Sequence, residues 1–264
     1  MTTIEGLHNF RDTGGLPLTD GGVTRTGVLY RSDALGALTP AGLAALAESP
    51  IGVIVDFRTP DERLAAPDLL PGDRPLRVVD LSILEGAMAE FAQQALAAGA
   101  GNGLSEAQLA QVEGLIPTLD SLYIGMLQHG AAAFAAVARL VGASRDDEPT
   151  AVLVHCTAGK DRTGVATALL LDAAGADRAA IVADYASSQQ NLAGEWADGM
   201  LHMVSSLGIP LSPPLTMLVT GTPPDAMEKT LTWLDEHHGG SAAYLQSGGL
   251  TDAELDALRD RLRA

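Results

Sequence analysis

The stretch AVLVHCTAGKDRTGVATALLLDAAG, residues 151–175, restricts the fold more than any other part of the chain. It opens on a short apolar run, Ala151 to His155, that has no helical period. A tight loop follows, and then Arg162 to Ala174 runs almost wholly apolar until Gly175 stops it. A short apolar run bounded by turn signals reads as a buried strand, and a helix with no polar stripe has to be covered on every side. A buried strand feeding directly into a buried helix belongs at the centre of an α/β fold, with helices packed on a mostly parallel sheet.

The flanking sequence fits that class. Glycine- and threonine-rich residues around Asp20, Gly21 and Gly22 predict short strands joined by a turn. Thr39-Pro40 opens a helix that reaches Glu48, and Ile51 to Phe57 reads as a second buried strand. Thr59, Pro60 and Glu62 then carry the pattern of a capping box. Leu76 to Leu81 predicts another strand, and Leu119 to Val141 a long core helix closed by Gly142. Asp177 is placed to cap the next helix, and from Ser187 to Ala264 the pattern is helical, ending in the capped TDAELDALRDRLRA. Residues 84–114 and 187–222 are rich in small and apolar residues and interrupted by glycine or proline, which suggests helical insertions or a lid. No linker demands a boundary, so a single domain over residues 1–264 is expected.

Charge narrows the partners. The formal net charge of -17 repels nucleic acid and anionic membranes at long range, so neither is an expected partner, and an anion site has to rely on local donors. The single cysteine precludes an internal disulfide and a cysteine-built zinc cluster. The start MTTIEGLHNFRD has neither a basic nor an apolar leader, and no apolar run of about eighteen residues is evident. The expectation is a cytoplasmic protein without stable membrane insertion.

That one cysteine, Cys156, stands at the carboxyl end of the predicted central strand, and Arg162 stands at the first turn of the following helix. A lone buried cysteine is ordinarily a small apolar side chain. Here Thr157, Ala158, Gly159, Lys160 and Asp161 form a loop whose N–H groups are able to point inward, beside the positive end of a helix. The donors that hold a phosphate dianion also favour thiolate over thiol. Arg162 adds a planar fork that binds two phosphoryl oxygens in parallel. Gly159 permits a positive φ and keeps a side chain away from the anion, while the Thr163 hydroxyl is placed to donate to the sulfur as it leaves.

HCTAGKDRTG carries the H-C-x5-R-[ST]-G signature of the cysteine-dependent phosphatases. Together with NFRDTGG, VLYRSDAL, VDFRTPDE, IVADYASS and GGSAAYLQSGG, it resembles the mycobacterial protein tyrosine phosphatase B group over nearly the whole chain. The resemblance implies a tyrosine-phosphatase-like fold and a broad phosphatase that acts through a phosphocysteine intermediate. Substrates would include phosphotyrosine, with phosphoserine, phosphothreonine and phosphoinositides in some members, and no metal or other cofactor would be needed. The resemblance also raises export without a signal peptide.

The resemblance places the general acid at Asp161, next to the loop arginine; the alternative is that Asp161 caps the helix or pairs with a cation. Trp196 and Asp198 in EWADGM do not have the spacing of the usual acid loop and are rejected for that role. Lys160 is expected either to meet a second phosphate or simply to raise the local potential or point to solvent. His155 is expected to orient the loop. Asp56 and Arg58, at a strand end, fit a buried bracing pair or a substrate contact, and Arg11 and Asp12 carry the same ambiguity. The rival functions are a phosphate-binding module without turnover and a sulfurtransferase, both of which use a tight anion loop.

Overall fold

The computed structural model describes residues 3–72, 74–83, 116–206 and 210–264. Five strands, β1 (Arg11–Asp12), β2 (Leu29–Ser32), β3 (Ile51–Asp56), β4 (Arg77–Asp80) and β5 (Ala151–His155), form one sheet in the order β1-β2-β5-β3-β4. Only the β1–β2 pair is antiparallel. β5 is therefore central, as its unbroken apolar run predicts. The expected turn at Asp20 to Gly22 joins isolated bridging residues, Pro17 opposite Val23, rather than strands.

Period-two alternation divides the strands between two cores. Val152 and Val154 face one side with Val53, Val55 and Leu29, while Ala151 and Leu153 face the other with Ile54 and Tyr30. A register irregularity between Ile51 and Val53 lets Ile51 share the face of Ile54 despite the odd spacing.

The second face is closed by α1 (Pro40–Glu48), whose Leu46 is fully buried, and by Ile4, Leu35 and Leu38. Thr39 caps α1 by accepting from the Gly42 N–H. The first face carries α3 (Leu119–Gly142), α4 (Arg162–Ala173), α5 (Arg178–Asn191), α8 (Pro224–His238), α9 (Ser241–Ser247) and α10 (Asp252–Leu262). In chain order the remaining helices are α2 (Pro60–Ala65), α6 (Glu195–Ser206) and α7 (Pro213–Thr220).

Helix α4 is buried at all but one of its twelve positions, which accounts for its lack of a polar stripe. By length and mean hydropathy α3 is long and apolar enough to cross a membrane, although Gln128, His129 and Arg139 interrupt it and no run of eighteen apolar residues occurs in it. Its apolar stripe, including Leu122, Met126, Phe134 and Val141, is buried against α4, α8, α9 and α10. The proposed lid segment at 84–114 lies outside the described residues. In the other, α6 has no buried residue and packs beside α7.

Candidate active site

The site lies at the carboxyl ends of β5 and β3, where the loop 156–161 joins β5 to α4. Open α/β sheets gather ligand sites at this edge. Three loop carbonyls are held from outside. Thr157 O accepts from the Ala34 N–H at 3.1 Å, and Ala158 O and Gly159 O accept from Asn9 Nδ2 at 3.1 and 3.0 Å. Arg31 Nη2 also donates to Gly159 O, at 2.8 Å.

A trans peptide sets its N–H opposite its C=O, so fixing these carbonyls outward turns the N–H groups of Ala158, Gly159 and Lys160 inward. One of them is seen at its target: the Gly159 N–H donates to Cys156 Sγ at 3.2 Å. Gly159 has φ +67, and a Cβ there would collide with the backbone of Ser32. The glycine is thus required by its positive φ, as the sequence suggested, and also by the close approach of the β2 end.

Asn9 and Arg31 are themselves aimed by a buried network. Asp33 Oδ1 accepts from the Asn9 N–H at 2.9 Å, and Arg11 Nη1 donates to Asn9 Oδ1 at 2.5 Å. Asp184 on α5 takes Arg11 Nε at 2.6 Å and Arg31 Nη1 at 2.7 Å. Burial raises the Asp184 carboxyl, but Arg31 and Arg11 outweigh it and hold the group below the usual range. Burial, then the neighbouring Arg31, lowers Arg11 to about 10. Arg11 therefore supports the loop through Asn9. Asp12 anchors turns instead, accepting from Gly14 N at 2.8 Å and Gly27 N at 2.7 Å.

Arg162 lies flat against Glu62, with Nη1–Oε2 2.8 Å and Nη2–Oε1 2.7 Å. Glu62 also accepts from Thr157 Oγ1 at 2.8 Å and from the Thr59 N–H at 2.8 Å. The capping box that starts α2 thus orients the arginine of the anion loop as well. Burial raises the Glu62 carboxyl, but its Arg162 hydrogen bonds and charge outweigh this and bring it down to about 2 from 4.5. A depressed folded-state value gives stability that is complete above the ordinary value and lost as pH falls through the depressed one. Glu62→Gln is therefore expected to be less stable than wild type at pH 7. In denaturant titrations the gap should narrow as pH falls below 4.5 and close near about 2.

Buried Asp56, Arg58 and His155 and half-buried Asp68 form a group behind the loop. Arg58 Nη2 bonds Asp56 Oδ2 at 2.8 Å and Asp68 Oδ2 at 2.7 Å. Of the two readings of Asp56 and Arg58, the arrangement is that of the bracing pair. His155 Nδ1 lies 3.2 Å from Cys156 O, and Nε2 is 3.4 Å from Asp68 Oδ2 but not aligned as a hydrogen bond. Asp56, Asp68 and His155 have the spacing of metal ligands, yet the Arg58 guanidinium already takes both carboxylates.

Two residues of the signature, Lys160 and Thr163, have other surroundings than the sequence suggested. Lys160 is buried, with Nζ donating to Asp161 Oδ1 at 2.9 Å, Leu218 O at 3.0 Å and Gly221 O at 3.3 Å. Its three protons go to a carboxylate and to carbonyls at the C-terminal end of α7, a natural seat for a buried ammonium, rather than to an open anion pocket. The Thr163 hydroxyl is buried and bonds none of the described residues, so the expected bond to Cys156 Sγ is not formed. Asp161 does not cap α4 with its side chain, but it does pair with a neighbouring cation, Lys160, and Oδ1 also accepts from Tyr123 Oη at 2.7 Å. Trp196 and Asp198 sit on α6, with Asp198 exposed.

Sequence reasoning missed Asn9, Arg31, Asp33, Tyr123 and Asp184, and it saw Glu62 only as a cap. A signal existed for most of them. NFRDTGG, VLYRSDAL and IVADYASS contain Asn9, Arg31 with Asp33, and Asp184. Those motifs, far apart in sequence, converge behind one loop.

Known proteins resemble this chain over most of its length. A model described as tyrosine phosphatase family matches residues 2–264. A tyrosine-protein phosphatase of Nostoc commune is 32% identical over 246 residues, covering 88% of this chain and 73% of that protein. The triple specificity protein phosphatase PtpB of Mycobacterium tuberculosis is 27% identical over 275 residues, covering 97% of this chain and 96% of its own. The match over the whole chain, together with the cysteine–arginine loop at the sheet edge, identifies this protein as an enzyme of the tyrosine phosphatase family.

Proposed function

We propose that the protein hydrolyses phosphotyrosyl side chains through a phosphocysteine intermediate. Cys156 thiolate attacks phosphorus in line, the S–P bond forms, and the P–O bond to the phenol breaks. Asp161 gives its proton to the departing oxygen. Water then attacks phosphorus and yields its proton to Asp161, and the S–P bond breaks to release inorganic phosphate and regenerate the thiolate. Arg162 and the loop N–H groups hold the equatorial oxygens throughout.

The observation that carries this reading is the outward tethering of the Thr157, Ala158 and Gly159 carbonyls, which turns the following N–H groups inward and sets that of Gly159 on Sγ. Thiolate nucleophile, guanidinium and carboxylic acid supply the attack, charge stabilisation and proton, so the scheme requires no metal.

Phosphotyrosine is the first substrate class in this reading. Phosphoserine, phosphothreonine and phosphoinositides are further candidates by the likeness to a triple specificity phosphatase. A second phosphate would be met by Lys160 only after its ammonium leaves Asp161 and the α7 carbonyls. Acid-quenched enzyme mixed with a phosphotyrosyl peptide is expected to gain the mass of one phosphoryl group at Cys156, in chelator as without it. A phosphoinositide monophosphate run in parallel tests the breadth. Rapid turnover with no trapped phosphoenzyme, or thiosulfate turnover in place of phosphate release, would overturn the reading.

A further inference from the structure

Asp161 Oδ1 is shared by two donors, Tyr123 Oη at 2.7 Å and Lys160 Nζ at 2.9 Å. A phenol has one proton, so when Tyr123 gives its own to Asp161, its oxygen is left to accept. Tyr185 Oη lies 2.7 Å away and supplies that bond. The chain of donors therefore runs in one direction, from Tyr185 to Tyr123 to Asp161. Burial, then the Asp161 charge, pushes the Tyr123 phenol well above the ordinary range, and burial and the same charge push Tyr185 up. Both phenols thus keep their protons at any working pH.

The two rings are fixed as firmly as their hydroxyls. Both are buried, and they meet edge to face with centroids 5.9 Å apart and planes at 87°. Gly164, the last residue of the signature, lets the Tyr185 ring lie on α4: a Cβ there would come within 3.0 Å of Tyr185 Cδ2. Among the described residues, none bonds Asp161 Oδ2.

We infer that Tyr123, backed by Tyr185, is a positioning residue for the leaving-group proton: by occupying Asp161 Oδ1 it holds the carboxyl in one orientation and reserves Oδ2 as the oxygen that gives and takes the proton. This rests on Asp161 as the general acid. The inference adds the reason that one oxygen of Asp161 is chemically distinct from the other, and it assigns work to two buried hydroxyls that the reaction scheme leaves unused.

The test is leaving-group dependence. Nitrophenolate departs with little help, whereas phenolate needs a proton, and general-acid help is typically about 10²- to 10⁴-fold. Tyr123→Phe keeps the ring and removes the donor. It is expected to lower kcat/KM, which reports only the steps up to departure of the phenol, by roughly tenfold or more for phenyl phosphate and by less than about threefold for p-nitrophenyl phosphate. Tyr185→Phe should give the same selective loss, smaller in size, and it serves if the Tyr123 variant does not fold.

In an Asp161→Asn background, adding Tyr123→Phe should cost nothing further, because the two act as one unit. Equal losses on both substrates, or full additivity with Asp161→Asn, would overturn the positioning role and leave the general acid standing. If Asp161→Asn itself falls equally on both substrates, the general-acid reading fails and the positioning role with it.

Discussion

Cys156→Ser is expected to reduce turnover of any aryl phosphate by on the order of 10⁴- to 10⁶-fold, the largest loss for any single substitution in this protein. Serine keeps the shape of the side chain, and the Gly159 N–H that donates to Sγ at 3.2 Å would still find an oxygen there. What changes is ionisation, since a hydroxyl is far harder to deprotonate than a thiol and no described base is bonded to the sulfur. The fold should be undisturbed, because Cys156 is a small buried member of the core whose volume changes little. The check is a steady-state assay beside a thermal melt. Retained activity with an unchanged melting temperature would remove the thiolate mechanism.

Arg162→Lys comes second, with an expected fall in kcat/KM of roughly 10³-fold despite the conserved charge. Two losses combine. An ammonium cannot make the paired contact with Glu62 at 2.8 and 2.7 Å while also presenting parallel N–H groups to phosphoryl oxygens. It also leaves the Glu62 carboxylate, half-buried and held at about 2, without its planar partner. The loss should appear mainly in kcat, because the guanidinium bonds tighten as the phosphoryl group flattens. A change confined to KM would show that Arg162 merely attracts the dianion.

Much of the frame was legible in the chain. The unbroken apolar run at Ala151 to His155 announced the central strand, and the capped starts at Thr39, Thr59, Asp177 and Thr251 were visible as local chemistry. Caps are readable because they involve residues three positions apart. The supports of the loop were not, because their hydrogen bonds join positions about 150 residues apart, and no local pattern tells an arginine that holds a carbonyl from one that faces water.

The partners of Lys160 were hidden for the same reason. Beside a phosphate signature an ammonium reads as an anion ligand, and only the approach of Leu218 and Gly221 reveals its acceptors. Glu62 was seen in its local role and missed in its distant one. The expectation for Thr163 was not met, because adjacency to Arg162 does not by itself bring a helical hydroxyl within bonding distance of the sulfur.

The tethers behind the loop also bear on when this protein becomes an enzyme during its synthesis. Asn9 reaches Gly159 across 150 positions, and Arg11 reaches Asp184 across 173. A nascent chain that has extruded Cys156 and Arg162 still lacks the carboxylate that aligns both arginines, so its thiol has no finished cradle. Competence therefore requires α5 to close on the segment that carries Asn9 and Arg11, which ties catalysis to tertiary assembly.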